Sequence, residues 1–187
     1  MAKRKKNSLQ AIDAIPYKGH TISIYPDPNP ENPREWSNIG RILYFRGSGR
    51  YKLGDEAATV EEMNEIQHDQ KQFIALPVYT YMHGGTAMQT KPYGDPWDSG
   101  QSGVIYTWIT KALKAFGRKK MTPALRKKVE EVLAQEVKTF GEYLNGEVYG
   151  YITTDSNGEE VDSLWSIMPY EYAIQAAKDT VDELTKK

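Results

Sequence analysis

The pattern of hydrophobic and polar positions changes period several times along the chain, and each change predicts an element. Residues 20–25 alternate, with Ile22 and Ile24 set against Thr21 and Ser23, as a half-buried strand does. Pro26 stops that pattern. The prolines at 28, 30 and 33 exclude a regular element after it, because each removes a donor and restricts its predecessor. Residues 41–46 read as a short apolar strand, followed by a loop at Gly47-Ser48-Gly49. Thr59, with Glu62 three residues on, is the capping box of an acidic helix over 59–70. Residues 73–82 are apolar on both faces, as in a strand covered on both sides, and Pro77 predicts an edge position or a bulge there.

Further on, residues 104–109 predict a strand that turns into a short basic helix ending near Gly117. Thr122 is an N-cap and Pro123 suits a first turn. The stripe Leu125, Val129, Leu133, Val137, Phe140 and Leu144 then predicts a long amphipathic helix, closed by Asn145-Gly146. Residues 147–154 and 159–167 flank Asp155-Ser156-Asn157-Gly158, a hairpin signal, with Val148, Ile152, Val161, Trp165 and Ile167 expected inward. A final helix starts at Pro169 with Tyr170, Ala173, Ile174, Ala177, Val181 and Leu184 on one face. No βαβ rhythm runs through these elements. They predict an α+β fold: an antiparallel or mixed sheet of about five to six strands, with two long helices of the C-terminal half packed on one side. Residues 1–10 read as a flexible basic tail and 11–187 as a single domain.

Composition narrows the classes. With 39% hydrophobic and 26% charged residues the chain is neither a disordered nor a membrane-embedded type, and its apolar runs fall far short of a bilayer span. The start Met1-Ala2-Lys3-Arg4-Lys5-Lys6 leads into Asn7-Ser8 rather than into an apolar signal-peptide segment. The absence of cysteine removes disulfides, thiolate nucleophiles and cysteine-based zinc sites, and points to a reducing, cytoplasmic compartment. A net charge of -1 argues against a DNA mimic and against wholesale non-specific nucleic-acid binding. The distribution is uneven, however. Residues 109–128 carry Lys111, Lys114, Arg118, Lys119, Lys120, Arg126, Lys127 and Lys128 with no acid, while 54–70 carry Asp55, Glu56, Glu61, Glu62, Glu65 and Asp69 with no Lys or Arg. Two faces of opposite sign are expected.

Two stretches hold candidate chemistry: 33–40, and the polar segment 83–103, read as a loop between strands. His83, Asp95 and Asp98 would serve a metal-dependent hydrolase or nuclease if they converged with Asp27 or Glu35 on a divalent cation. Against this, Asp95 and Asp98 suit turn-capping around Pro96 and the glycines, and no HxH, HExxH or DxD spacing is present. A triad of Ser99, His83 and Asp98 or Asp95 lacks the Gly-x-Ser-x-Gly elbow. A phosphate loop at 99–103 would run into a strand rather than a helix, and the glycines better suit a tight crossing with Trp97 as a lid and Gln101 tying the backbone. No cofactor motif is present, and catalysis ranks below binding. The basic block is the candidate nucleic-acid surface, through Lys119, Lys120, Arg126, Lys127 and Lys128, and it equally suits an acidic protein partner. Thirteen tyrosines and four tryptophans fit both strand packing and interface use.

The strings PREWSNIG, RYKLGD, LPVYTYMHGG, DPWDSGQSGVIY and GEVYGYI, in this order, resemble a family of small uncharacterised proteins of bacteriophages and other mobile elements, typified by PREWDNLG, YDHSG and PWDSGQVGFIY. The resemblance covers about residues 20 to 176. Ser37 stands where that pattern usually has an acid, and Met82 where an Asp is frequent, so two carboxylates of a metal site are missing. What the resemblance implies is an accessory protein in the host-cell cytoplasm. The reading that follows is a protein that binds a host or defence-related protein as an anti-defence inhibitor. Arg34, Glu35, Trp36, Asn38, Trp97, Ser99 and Gln101 are its expected binding residues beside the five cations. A hydrolase and a nucleic-acid-binding accessory protein are the alternatives, and an edge at 73–82 offers a surface for self-association.

Overall fold

Strands from the two ends of the chain pair with each other, so the expected single sheet becomes two. The computed structural model describes residues 9–46, 52–95 and 97–186; most of the expected basic tail, the Gly47-Ser48-Gly49 loop and Pro96 lie outside them. In chain order the elements are β1 (Asp13–Tyr17), β2 (His20–Pro26), a 3-10 turn (Pro33–Glu35), β3 (Arg41–Phe45), β4 (Glu56–Ala58), α1 (Val60–His68), β5 (Phe73–Met82), β6 (Thr86–Gln89), β7 (Ser99–Trp108), α2 (Ile109–Ala115), α3 (Pro123–Leu144), β8 (Tyr149–Thr154), β9 (Glu160–Ile167) and α4 (Tyr170–Leu184). They form two compact units, one of Met1–Glu31 with Gly146–Lys187 and one of Asn32–Asn145. The class is α+β. The correction concerns the sheet and the helices: α3 and α4 serve different sheets instead of packing together on one side.

In the first unit an antiparallel sheet runs β1-β2-β8-β9. The alternation read at 20–25 places Ile22 and Ile24 in a core with Tyr151 and with Ala173, Ala177 and Val181 of α4. On β8 the inward residues are Tyr151 and Thr153, not Ile152, and Val161 on β9 is exposed. A bulge between Tyr149 and Tyr151 shifts the register there, and a shift of one residue exchanges the two faces of a strand. Leu184, expected on the apolar face of α4, is exposed. Asp27 pins the crossing to β9. Its Oδ2 accepts from the backbone N–H and the hydroxyl of Ser166, both at 3.0 Å, and so holds Ser166 at a φ of 59°.

In the second unit the sheet runs β4-β3-β7-β5-β6 and is mixed, since β3 and β4 are parallel. Its central strands are covered on both faces. Ile42, Ile74, Val78 and Ile105 pack with Leu125, Val129, Leu133, Val137 and Phe140 of α3 on one side. Leu43, Val104 and Tyr106 pack with Met63 of α1 on the other. That is why residues 73–82 carry apolar side chains on both faces. Pro77 sits where β5 has β7 on one side and β6 has not yet begun, one residue before the register shift between Val78 and Tyr79. Thr59 and Glu62 form the expected capping box, with Thr59 N–H to Glu62 Oε2 at 2.7 Å and Glu62 N–H to Thr59 Oγ1 at 3.3 Å.

Candidate functional site

The two motif stretches divide into residues that hold the fold and residues that it displays. In the first stretch, the Asn32 side chain accepts from Arg34 N–H and starts the 3-10 turn. This turn carries the Arg34 side chain inward, where it is only 6% exposed. Nε and Nη2 fork onto Asp55 at 3.1 and 2.8 Å, Nη1 donates to Glu136 Oε2 at 3.1 Å, and Nη2 also donates to the Gly40 carbonyl at 2.9 Å. The carboxylates are themselves anchored. Asp55 Oδ2 accepts from Ile42 N–H at 2.7 Å and Glu136 Oε1 from Ile39 N–H at 2.8 Å. Burial works to lower the Arg34 pKa, but the Asp55 and Glu136 carboxylates outweigh it and raise it. A Cβ on Gly40 would lie 2.6 Å from Leu133 and 2.8 Å from Glu136 Oε2, so this packing requires glycine.

Arg34 is therefore a buried tie between β3, the segment before β4 and α3, and not a surface binding residue. Asn38 is spent similarly, donating from Nδ2 to the Pro33 and Trp36 carbonyls and accepting Lys111 Nζ at its own carbonyl. Of this stretch Glu35, Trp36 and Ser37 are exposed. Asp55 and Glu136 were missed in the sequence. Glu136 follows Leu133 by three residues, which puts it on the flank of the buried stripe and was the available signal.

The second stretch is not one loop. Thr86–Gln89 pairs with the end of β5, and Ser99 already begins β7. Thr86 N–H donates to Asn145 Oδ1 at 3.0 Å, and Gly141 of α3 fits against the Met88 backbone. On the other arm, Met82 N–H donates to the Asp98 carbonyl at 3.0 Å, Ser102 Oγ bonds Thr80 Oγ1 at 2.6 Å, and Gly103 packs on the Leu43 carbonyl. Residues 99–103 thus lie in the sheet ladder, so the strand read from 104 starts at Ser99 instead. Gln101 ties to the Gly103 carbonyl at 3.3 Å.

Between the two arms, His83 Nδ1 and Asp98 Oδ2 meet at 2.9 Å, both side chains open to solvent. The ring of Tyr81 lies 6.2 Å from that of His83 and 5.5 Å from that of Tyr93. Asp95 does not join them. Its Oδ1 accepts from Trp97 N–H at 2.8 Å, a turn cap, and Ser99 Oγ donates to the Asp95 carbonyl. His83 and Asp98 therefore form a dyad that Ser99, bonded to the Asp95 carbonyl, does not join. Among the described residues no three His, Asp or Glu side chains converge as a metal site requires. Asp27 is committed to Ser166. Trp97 stands at the tip, 93% exposed.

The basic block lies on α2, the connection after it and the first turns of α3. Lys119, Lys120, Lys127 and Lys128 are exposed, whereas Arg126 donates from Nη2 to the Gln70 carbonyl at 3.1 Å. Arg118, Lys120 and Lys128 line one cavity of about 250 Å³ with Thr122, Ala124 and Leu125. No helix among the described residues is long and apolar enough to cross a membrane. The sequence matches no protein-family model, no curated protein and no solved structure.

Proposed function

We propose that the chain is a phage or mobile-element accessory protein that acts in the host cytoplasm by binding a host or defence-related protein, with Trp97 as the central contact. One observation carries this reading: a tryptophan is held almost wholly in water on a backbone that is pinned on both sides. Asp95 fixes Trp97 N–H, and Met82 N–H bonds the carbonyl of the next residue, Asp98. Exposing an indole forgoes burial worth about 2 to 3 kcal/mol, and a rigid aromatic anchor of this kind is what dominates protein interfaces. Tyr81, Tyr93 and the His83–Asp98 pair lie in the same loop cluster and supply half-apolar, hydrogen-bonding surface, as interfaces use. The motif resemblance supports the phage setting.

A hydrolase would need a third ligand or a nucleophile beside His83 and Asp98, and the side chains nearest in sequence are spent on capping. The test is affinity purification from nuclease-treated bacterial lysate with the tagged protein. The expected result is one stoichiometric partner that Trp97→Ala and His83→Ala lose while both variants unfold at the unaltered midpoint. A partner retained by Trp97→Ala contradicts the assignment of the contact. Turnover of a phosphoester that Asp98→Ala abolishes would replace binding with catalysis.

A further inference from the structure

We propose that the connection between α2 and α3 is a second binding surface, one that takes successive phosphate groups of a nucleic-acid backbone. It uses residues distinct from those around Trp97. Arg118, Lys120 and Lys128 line a single cavity of about 250 Å³ with no carboxylate among its lining residues. Lys119 and Lys127, next to them in sequence, are exposed. Among the described residues none of these five cations is in an ion pair, whereas Lys18, Arg34, Arg41 and Lys138 each have a carboxylate partner. Like charges gathered in one segment repel one another, and no carboxylate lines the cavity that three of them share.

The scaffold beneath them is fixed. Gly117 takes a φ of 61°, its N–H bonds the Lys114 carbonyl, and Arg118 N–H bonds the Leu113 carbonyl at 2.9 Å, so Arg118 leaves the end of α2 in a set direction. Thr122 Oγ1 accepts from Leu125 N–H at 3.2 Å and fixes the start of α3, from which Lys128 projects.

The chemistry of the ligand follows from size and residue type. The cavity, at about 250 Å³, is smaller than the range of roughly 300–1,000 Å³ that encloses a drug-sized molecule, and its three cations without a carboxylate suit a phosphate group. Lys119 and Lys127 then stand beside it for neighbouring phosphates. Four of the five cations are lysines, which protein interfaces deplete and phosphate backbones attract. The exposed large hydrophobics of this unit, Trp36, Val60, Met82, Trp97, Trp108 and Val132, include no residue between α2 and the first turn of α3. A protein contact would lack its anchor there.

The experiment is fluorescence anisotropy with a labelled oligothymidylate and a labelled duplex, each titrated with the full-length protein between about 50 and 200 mM salt. The wild-type protein is expected to bind the oligonucleotide more weakly as salt rises. The triple reversal Arg118→Glu, Lys120→Glu, Lys128→Glu is expected to bind at least tenfold more weakly and to flatten the log–log salt slope by about 2 for the single strand. Lys71→Glu, an exposed reversal outside the patch, is the control and leaves both unchanged, and the midpoint of thermal unfolding checks that each variant is folded. Oligonucleotide binding that the triple variant retains, or that does not respond to salt, overturns the proposal. So does a protein that ignores both oligonucleotides but is stabilised by inorganic phosphate or ATP, which would assign the cavity to a free phosphate compound. Equal binding of a labelled polyglutamate peptide overturns it in favour of an acidic protein partner.

Discussion

The Arg34 guanidinium forks onto the Asp55 carboxylate, Nε to Oδ1 at 3.1 Å and Nη2 to Oδ2 at 2.8 Å. Two parallel bonds of this kind need a planar donor pair, which lysine lacks. Arg34→Lys keeps the charge but loses the fork, and is expected to cost about 1.5 to 3 kcal/mol, the worth of a hydrogen bond to a charged group. Asp55→Asn removes one charge of the buried pair and is expected to cost about 3 to 5 kcal/mol. Urea unfolding checks both, and a loss below about 1 kcal/mol would return Arg34 to the surface role that its sequence context implied.

Two glycines of the DSGQSG motif are expected to behave oppositely. A Cβ on Gly103 would stand 2.0 Å from the Leu43 carbonyl oxygen, whereas one on Gly100 meets nothing within 4 Å. Gly103→Ala must push β7 away from β3 and is expected to destabilise by about 2 kcal/mol or more, by strain against backbone that cannot swing aside. Gly100→Ala is expected to be neutral within about 0.5 kcal/mol. Equal effects would mean that the motif glycines serve something other than the packing of β7 against β3.

Tyr151 sets an alkaline limit. Its hydroxyl donates to Asp162 Oδ2 at 2.5 Å, and burial followed by that bond pushes its pKa from 10.0 up to about 12. Raising the folded pKa favours the neutral phenol. Its contribution is thus complete below about pH 10 and disappears as pH rises through about 12, on the order of 2 to 3 kcal/mol in all. Tyr151→Phe is expected to lower stability at neutral pH by about 1 to 2 kcal/mol and to reduce the loss across the alkaline window. Urea midpoints measured over that window test it; an unchanged alkaline slope in the variant would contradict it.

Thr107 is wholly buried on β7, and its hydroxyl has no hydrogen-bond partner. Valine keeps the shape and removes the unsatisfied group, so Thr107→Val is expected to stabilise by about 1 kcal/mol. Destabilisation by as much would show that the hydroxyl is satisfied by a buried water.

How much of this was legible in the sequence depends on the range of the interaction. The capping box at Thr59 and Glu62, the N-cap at Thr122, the hairpin turn at Asp155 and the stripe of α3 are local and stand in the structure where the sequence places them. The pairing of β2 with β8 is not local: Ile24 meets Tyr151, and no periodicity within either strand encodes that partner. Two sheets were therefore read as one. The same limit hid the destination of Arg34, since Asp55 and Glu136 lie 21 and 102 residues away. An unusual charged residue in a polar motif looks the same whether it faces water or a buried carboxylate. His83 and Asp98 were brought together as the sequence allowed, while the backbone N–H of Trp97 claimed Asp95.

The central claim, that Trp97 is displayed to be bound, is tested most directly by placing a photo-crosslinking amino acid at position 97 and, separately, at position 172, where Tyr172 is also exposed. After irradiation in bacterial lysate the account predicts one discrete adduct from position 97, absent from position 172 and competed away by excess unlabelled wild-type protein. Identical adducts from both positions, or none from 97 in a lysate that yields a co-purifying partner, would contradict it.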